Sequence, residues 1–173
     1  MTPWTQPHPA AMDFIPVHDP RWQLLAGEDG PQPHPTPRPH ALLTLEQWHA
    51  VREHWPSELP TGVLLPNTAD VAALAADLPR LALVVLQFPK WTDGRAYSQA
   101  RLLRARHRFD GELRASGDVL VDMVPLLQRT GFSSAQLRAD QKIDSARRAL
   151  RFFDGHYQGD AVQPQPLFHR QAA

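Results

Sequence analysis

Between Lys90 and Ser98 six of nine residues carry a charge, a hydroxyl or a phenol: Lys90, Thr92, Asp93, Arg95, Tyr97 and Ser98. Lys90 and Arg95 have the chemistry to clamp an anion, helped by free amides and the positive dipole end at the start of a following helix. Asp93 is a candidate acid or base, and Tyr97 a candidate proton donor or carbonyl anchor. Gly94 permits a tight turn there, and Thr92 or Asp93 has the side chain to cap a helix. The same residue types also serve ordinary turns. Asp93 with Gly94, and Gly117 with Asp118, are common turn pairs, so three uses stay open: catalysis, binding of a small anion or a partner, and purely structural service.

The elements around this stretch decide whether it is placed to act. Leu81 to Phe88 is an apolar run without period-2 alternation, which reads as a strand covered on both faces, as in a parallel sheet. Pro89 stops it, and the basic helix after Gly94 carries Ala96, Ala100, Leu103 and His107 inward with Arg101, Arg104 and Arg108 stacked outside. That outer stripe is a solvated face or a dock for an acidic partner. Before it, Gly62 to Pro66 reads as a strand, Asn67 to Asp70 as a turn, and Val71, Leu74, Ala75 and Leu78 as one helix face ending at Pro79. After it come Glu112 to Ser116, a turn at Gly117 and Asp118, and a helix through Gln128 that ends on a left-handed cap at Gly131. Pro125 conflicts with that helix unless the helix begins near it or kinks there. The last unit is Ser134 to Arg138, a turn near Asp140, and a helix with Ile143, Ala146, Leu150 and Phe153 inward.

Strands recurring with helices between them imply parallel pairing through right-handed crossovers. The fold class is α/β: four consecutive βα units forming a parallel, half-barrel-like sheet, with an open sheet as the alternative. All four strand ends then point to one rim. That rim would gather Asn67, the Lys90 to Ser98 turn, Gly117 with Asp118, and Arg138 with Asp140. A half barrel leaves its inner face bare, so either the N-terminal segment with Trp22, Leu24 and Leu25 fills it, or a second copy does as a homodimer.

Residues 1–40 hold 10 of the 18 prolines and read as a proline-rich arm, with Arg21 to Ala26 as a short strand. Residues 41–157 form the single α/β domain and 158–173 a tail. Ala41 to Leu43 reads as a short strand, and Thr44 to Gln47 has the capping-box spacing that opens a helix with Leu45, Trp48, Val51 and Trp55 on its apolar stripe. His8, His18, His34 and His40 are irregularly spaced, and His49 and His54 are five apart, so no histidine metal site is expected.

The 173 residues carry 18 basic and 18 acidic side chains. That balance argues against a broad nucleic-acid or anionic-membrane surface. No run approaches a membrane helix, and Pro3, Pro7 and Pro9 stand where a signal peptide would be apolar, so a soluble cytoplasmic protein is expected. The chain has no cysteine, which removes thiolate chemistry and cysteine-ligated clusters. No Walker loop, dinucleotide fingerprint, zincin motif or nucleophile elbow is present, so no cofactor is assigned.

FPKWTDGRAYSQARLLR at 88–104, with GELRASGDVL at 111–120 and TGFSSAQLR at 130–138, resembles the bacterial family called domain of unknown function 934. The resemblance covers roughly residues 60–157. Members are often labelled probable oxidoreductases of sulfite reduction, and their genes commonly lie beside the sulfite reductase hemoprotein and the adenylylsulfate or phosphoadenylylsulfate reductase. The resemblance therefore implies a role in sulfate assimilation. This chain departs from the usual pattern at Trp91, Ala96, Pro125 and Thr130, the last standing where a cysteine is usual. Two functions are expected to compete. One is an accessory protein that binds the reductase or a sulfur oxyanion at the rim through Asn67, Lys90, Thr92, Gly94, Arg95, Ser98 and Arg138. The other is a small enzyme, an oxidoreductase by the family's usual label, acting on an anionic metabolite through Asp93, Asp118 and Tyr97 with Lys90.

Overall fold

Five strands that follow one another in the chain also lie side by side in space, which is what right-handed crossovers between parallel strands produce. In a computed structural model that describes residues 12–17, 19–27, 30–31, 33–152 and 157–161, the strands are β1 (Asp13–Phe14), β2 (Gln23–Leu24), β3 (Ala26–Gly27), β4 (Gly30–Pro31), β5 (Ala41–Thr44), β6 (Thr61–Leu65), β7 (Leu83–Phe88), β8 (Glu112–Gly117) and β9 (Ser134–Ala135). The main sheet has seven strands in the order β1-β9-β8-β7-β6-β5-β2. Every pair in it is parallel. The sheet curls into a half barrel with helices packed outside, and β3 and β4 form a separate antiparallel pair. His8, His18, Phe153 and most of the expected tail lie outside the described residues.

Strand alternation sorts the two faces. Leu43, Val63, Val84, Leu86, Leu113 and Ala135 point outward into the core beneath the helices and are fully buried. α1 (Leu45–Val51) opens on the expected capping box, with the Gln47 amide donating to Thr44 Oγ1 at 3.2 Å and the Thr44 amide to Gln47 Oε1 at 2.9 Å. Trp48 on this helix is fully buried, and its indole N–H donates to Asp77 at 3.0 Å. Asp77 also receives Arg52 at 3.0 Å, so this buried carboxylate is doubly satisfied.

Two expectations are corrected here. The helix expected after Asp70 is instead a pair of 3₁₀ turns, Val71–Leu74, capped by the Asp70 side chain on the Ala72 amide, and Leu78–Arg80, which carries Pro79 in its first turn where a missing N–H costs nothing. Arg104 is not part of an outer stripe. α2 (Arg95–Arg101) continues into a π turn over Leu102–Arg106, and the extra residue in that turn rotates Arg104 inward. There its guanidinium donates to the carbonyls of Phe109, of Gly111 at 2.9 Å and of Gly131 at 2.9 Å. Burial holds its pKa below the usual value, with Asp110 opposing.

α3 (Val124–Thr130) resolves the Pro125 conflict by starting beside it, so the proline sits in the first turn where its missing N–H costs nothing. It ends on Gly131 at φ 104° as expected. α4 (Ile143–Leu150) closes the outer layer, and Arg129 on α3 holds Asp160 at 3.2 Å. Among the described residues no helix is long and apolar enough to cross a membrane.

The inner face is covered by the chain itself. From β1 at one edge to β2 at the other, residues 15–17 and 19–22 lie across it. Trp22 packs over Gly62, where an added methyl would lie 3.1 Å from both Trp22 and Leu42. Asp19 reaches Arg114 on β8 at 2.8 Å. The bare face that motivated a homodimer is thus occupied, which leaves that expectation without its original observation.

Candidate functional site

Each rim residue follows the carboxyl end of a parallel strand, so one edge of the half barrel collects them, as in barrels and open α/β sheets generally. Asn67 follows β6, Lys90 to Ser98 follow β7, Gly117 and Asp118 close β8, and Arg138 and Asp140 follow β9. The structure joins them into two adjoining networks. In the first, Asn67 Nδ2 donates to Asp93 Oδ2 at 2.8 Å, and Arg95 donates to the same carboxylate at 2.6 and 3.0 Å. In the second, Asp118 Oδ2 accepts the Trp91 amide at 3.0 Å while its Oδ1 accepts Arg138 at 2.8 Å. Arg138 is shared with Asp140, at 2.6 and 2.7 Å.

Ionic pairing sets the protonation states. Hydrogen bonds from Arg95 hold the Asp93 carboxyl well below the usual carboxylate range. The Trp91 amide and then Arg138 lower that of Asp118. Arg138 takes Asp140 down to about 2. In return, Asp140 and Asp118 raise Arg138, and Asp93 raises Arg95. Carboxylates this acidic remain ionised at neutrality and are weak bases, so neither aspartate is tuned for proton transfer near pH 7. Tyr97 is half-buried against Phe88, 5.0 Å between ring centres, and burial raises its phenol. It is a packed ring first.

Arg95, expected to clamp an anion together with Lys90, and Arg138, expected to bind at the same rim, are therefore both occupied by carboxylates. Gly94, rather than Thr92 or Asp93, is the residue at the helix cap, although Asp93 Oδ1 still accepts the Arg95 amide at 3.2 Å. Thr92 and Ser98 are exposed beside it. Lys90 is exposed and makes no side-chain hydrogen bond or ion pair among those found in the described residues. Next to it Trp91 stands 55% exposed at the apex of the rim. Among the described residues no three acidic or histidine side chains gather as a metal site.

Sequence reasoning missed two contributors. Gln99 donates to the carbonyls of Pro66 at 3.0 Å and Ala69 at 2.9 Å, which pins the Asn67 turn against α2. Its signal was a polar residue between Ala96 and Leu103 on the inward stripe. Trp91 was read only as a departure from a family pattern, and its exposure follows from the turn geometry alone.

A pH consequence follows from the depressed carboxyls. A carboxyl lowered in the folded state stabilises it at pH above its unfolded value, and that contribution is lost only as pH falls through the folded value. Rim charge is thus constant near neutrality, and any affinity at the rim is expected to be flat between about pH 5 and 8. Binding titrations across that window check this. An inflection near pH 6 to 7 in a rim-dependent activity would instead assign it to a titrating group outside these ion pairs.

The model of a family described as bacterial protein of unknown function (DUF934) matches residues 62–168. A search of curated proteins gave no match.

Proposed function

Since the chain belongs to this bacterial family of unknown function, and its rim is built of mutually neutralised charges, we propose that it is a non-catalytic accessory protein that docks a partner protein at the carboxyl end of its sheet. One observation carries the reading: the pairing of Asp93 with Arg95 and of Asp118 and Asp140 with Arg138 leaves Lys90 and the exposed Trp91 projecting beyond the network. A tryptophan held by its own backbone amide, with a lysine beside it, suits a protein interface, where aromatic anchors concentrate the binding energy. The rigid ion pairs behind it preorganise the loop.

The partner to try first is the sulfite reductase hemoprotein, because the family resemblance associates such chains with assimilatory sulfite reduction. The test is a direct binding titration with the purified hemoprotein. Wild type should bind, and Trp91→Ala should weaken binding roughly thirtyfold, the effect of losing a hot spot of about 2 kcal/mol. Lys90→Glu should weaken it less and make it less sensitive to salt. Absence of binding by wild type defeats the choice of partner, and equal affinities of wild type and Trp91→Ala defeat the rim as the dock. Thermal shifts with sulfite, sulfate, phosphate and adenylylsulfate cover the small-oxyanion form of the idea, since a ligand specific for the folded state raises the melting temperature.

A further inference from the structure

The segment that crosses the inner face is held differently from everything around it. β7 and β8 pair over six residues, whereas β1 and β2 are each anchored over two. Between the Ile15 amide on Ala135 and the Gln23 amide on His40, the described strap residues make no backbone-to-backbone hydrogen bond to the body of the domain. Pro16 and Pro20 have no N–H to give. Among the described residues the crossing is secured by Gln136 Nε2 on the carbonyls of Pro16 and Val17 at 3.1 and 2.6 Å, by Trp22 over Gly62 and edge-on to His40 with 5.2 Å between ring centres, and by Asp19 on Arg114 at 2.8 Å.

The last contact is the informative one. Asp19 and Arg114 have side chains only 8% and 5% exposed. A buried ion pair is seldom better than apolar packing for stability, and its best-attested use is to fix one arrangement among several. Here both partners remain paired when the contact breaks. Arg114 keeps Glu112, which accepts from Nε at 2.9 Å and Nη2 at 2.7 Å, and Glu112 also accepts the Ser134 hydroxyl at 2.6 Å. Asp19 would leave with Arg21, whose amide already donates to it at 2.9 Å and whose guanidinium lies 3.7 Å away. A contact whose rupture orphans no buried charge can open without unfolding its surroundings.

We propose that the strap is a lid over the inner face of the half barrel, latched by Asp19 on Arg114, which opens while β5 to β9 stay folded. Opening uncovers Leu42, Gly62, Leu83 and Val85, a trough floored at one side by Arg114. This goes beyond docking at the rim, and neither idea requires the other.

The absence of cysteine makes the test direct. Val85→Cys places a thiol on the inner face beside Arg114, and Leu86→Cys places one on the opposite face, beneath the helices. Under native conditions a thiol reagent should label Cys at position 85 faster than at 86. Adding Asp19→Asn should speed labelling at 85 by roughly tenfold or more, because it removes the charge of one partner of a buried ion pair, and leave 86 unchanged. Equal rates at the two positions, or an equal acceleration of both by Asp19→Asn, would overturn the lid. Native-state hydrogen exchange on the unmodified chain guards against a damaging cysteine. The Ile15, Gln23 and Leu25 amides should exchange well before those of β7, and exchange of all of them at one common rate overturns the proposal as well.

Discussion

Arg114→Ala is expected to destabilise the domain by about 3–5 kcal/mol, the usual cost of removing one partner from a buried ionic cluster. The substitution leaves Asp19 and Glu112 on the inner face without the guanidinium that bound both. For a chain of this size each kcal/mol moves the midpoint by roughly 2–4 °C, so thermal unfolding reads the effect easily. Its origin can be separated from lost packing by pH. In wild type, burial works to raise the Asp19 carboxyl, but the Arg21 amide and Arg114 outweigh it and hold the group below its usual value. Asp19 therefore stabilises the fold above its unfolded value, and that stability goes as pH falls through the lower folded value. Without Arg114 the balance reverses and burial raises the carboxyl. The deficit of Arg114→Ala should accordingly shrink from neutral pH toward about pH 4, where protonation removes the unpaired charge. A deficit constant across that range would assign the loss to the cavity instead. If lid opening relieves the strain, the loss falls at the low end of the range and strap amides lose protection before β7.

Much of this architecture was legible because local signals and tertiary demand agree. Leu83–Phe88 lacks alternation because both of its faces are covered, outward by helices and inward by the strap, and that pattern is visible in the residues alone. Thr44 with Gln47, and Gly131 after α3, announce their helix ends by side-chain chemistry that needs no distant partner. The gathering of Asn67, Asp93, Asp118 and Arg138 follows from parallel topology once the strands are placed. What the chain did not disclose depends on partners far away in sequence. Nothing local to Asp19 says that it reaches β8, although the bare inner face of a half barrel already marked the segment with Trp22 as one of two expected covers. Arg104 fails for a related reason, since a π turn moves it from one face to another and helical periodicity assumes no such insertion. The rim aspartates looked like an acid and a base because residue type is local, whereas their ion pairs, which fix the proton affinity, are long-range for Asp118 and depend on loop shape for Asp93.

Gly117→Ala is expected to be the most damaging single methyl in the rim. Gly117 sits at φ 94°, where a side chain is strained, at roughly 1–3 kcal/mol for a residue held in so sparsely populated a region. An added Cβ would also stand 2.4 Å from the Phe88 carbonyl oxygen and 3.1 Å from its carbon. That carbonyl has no freedom to retreat, because it accepts the Asp118 amide at 2.8 Å at the end of the β7–β8 ladder. Relief must come from moving the Gly117–Asp118 peptide, and the two side-chain bonds that Asp118 makes, to the Trp91 amide and to Arg138, move with it. The combined cost should exceed about 3 kcal/mol, strained backbone plus a clash against backbone rather than a flexible side chain. Gly117→Asn separates the two causes. Asparagine tolerates positive φ better than alanine, so conformational strain alone would predict a milder defect. It carries the same Cβ, so the clash predicts a defect of similar size. Asp118→Asn supplies the reference for the rim, because it weakens the Arg138 contact while leaving the Phe88 carbonyl bond in place. Chemical denaturation of the three variants, followed by backbone circular dichroism, tests the argument. A Gly117→Asn protein as stable as wild type would show that the loop has room after all, and that β7 and β8 do not hold the rim as rigidly as their six paired residues imply.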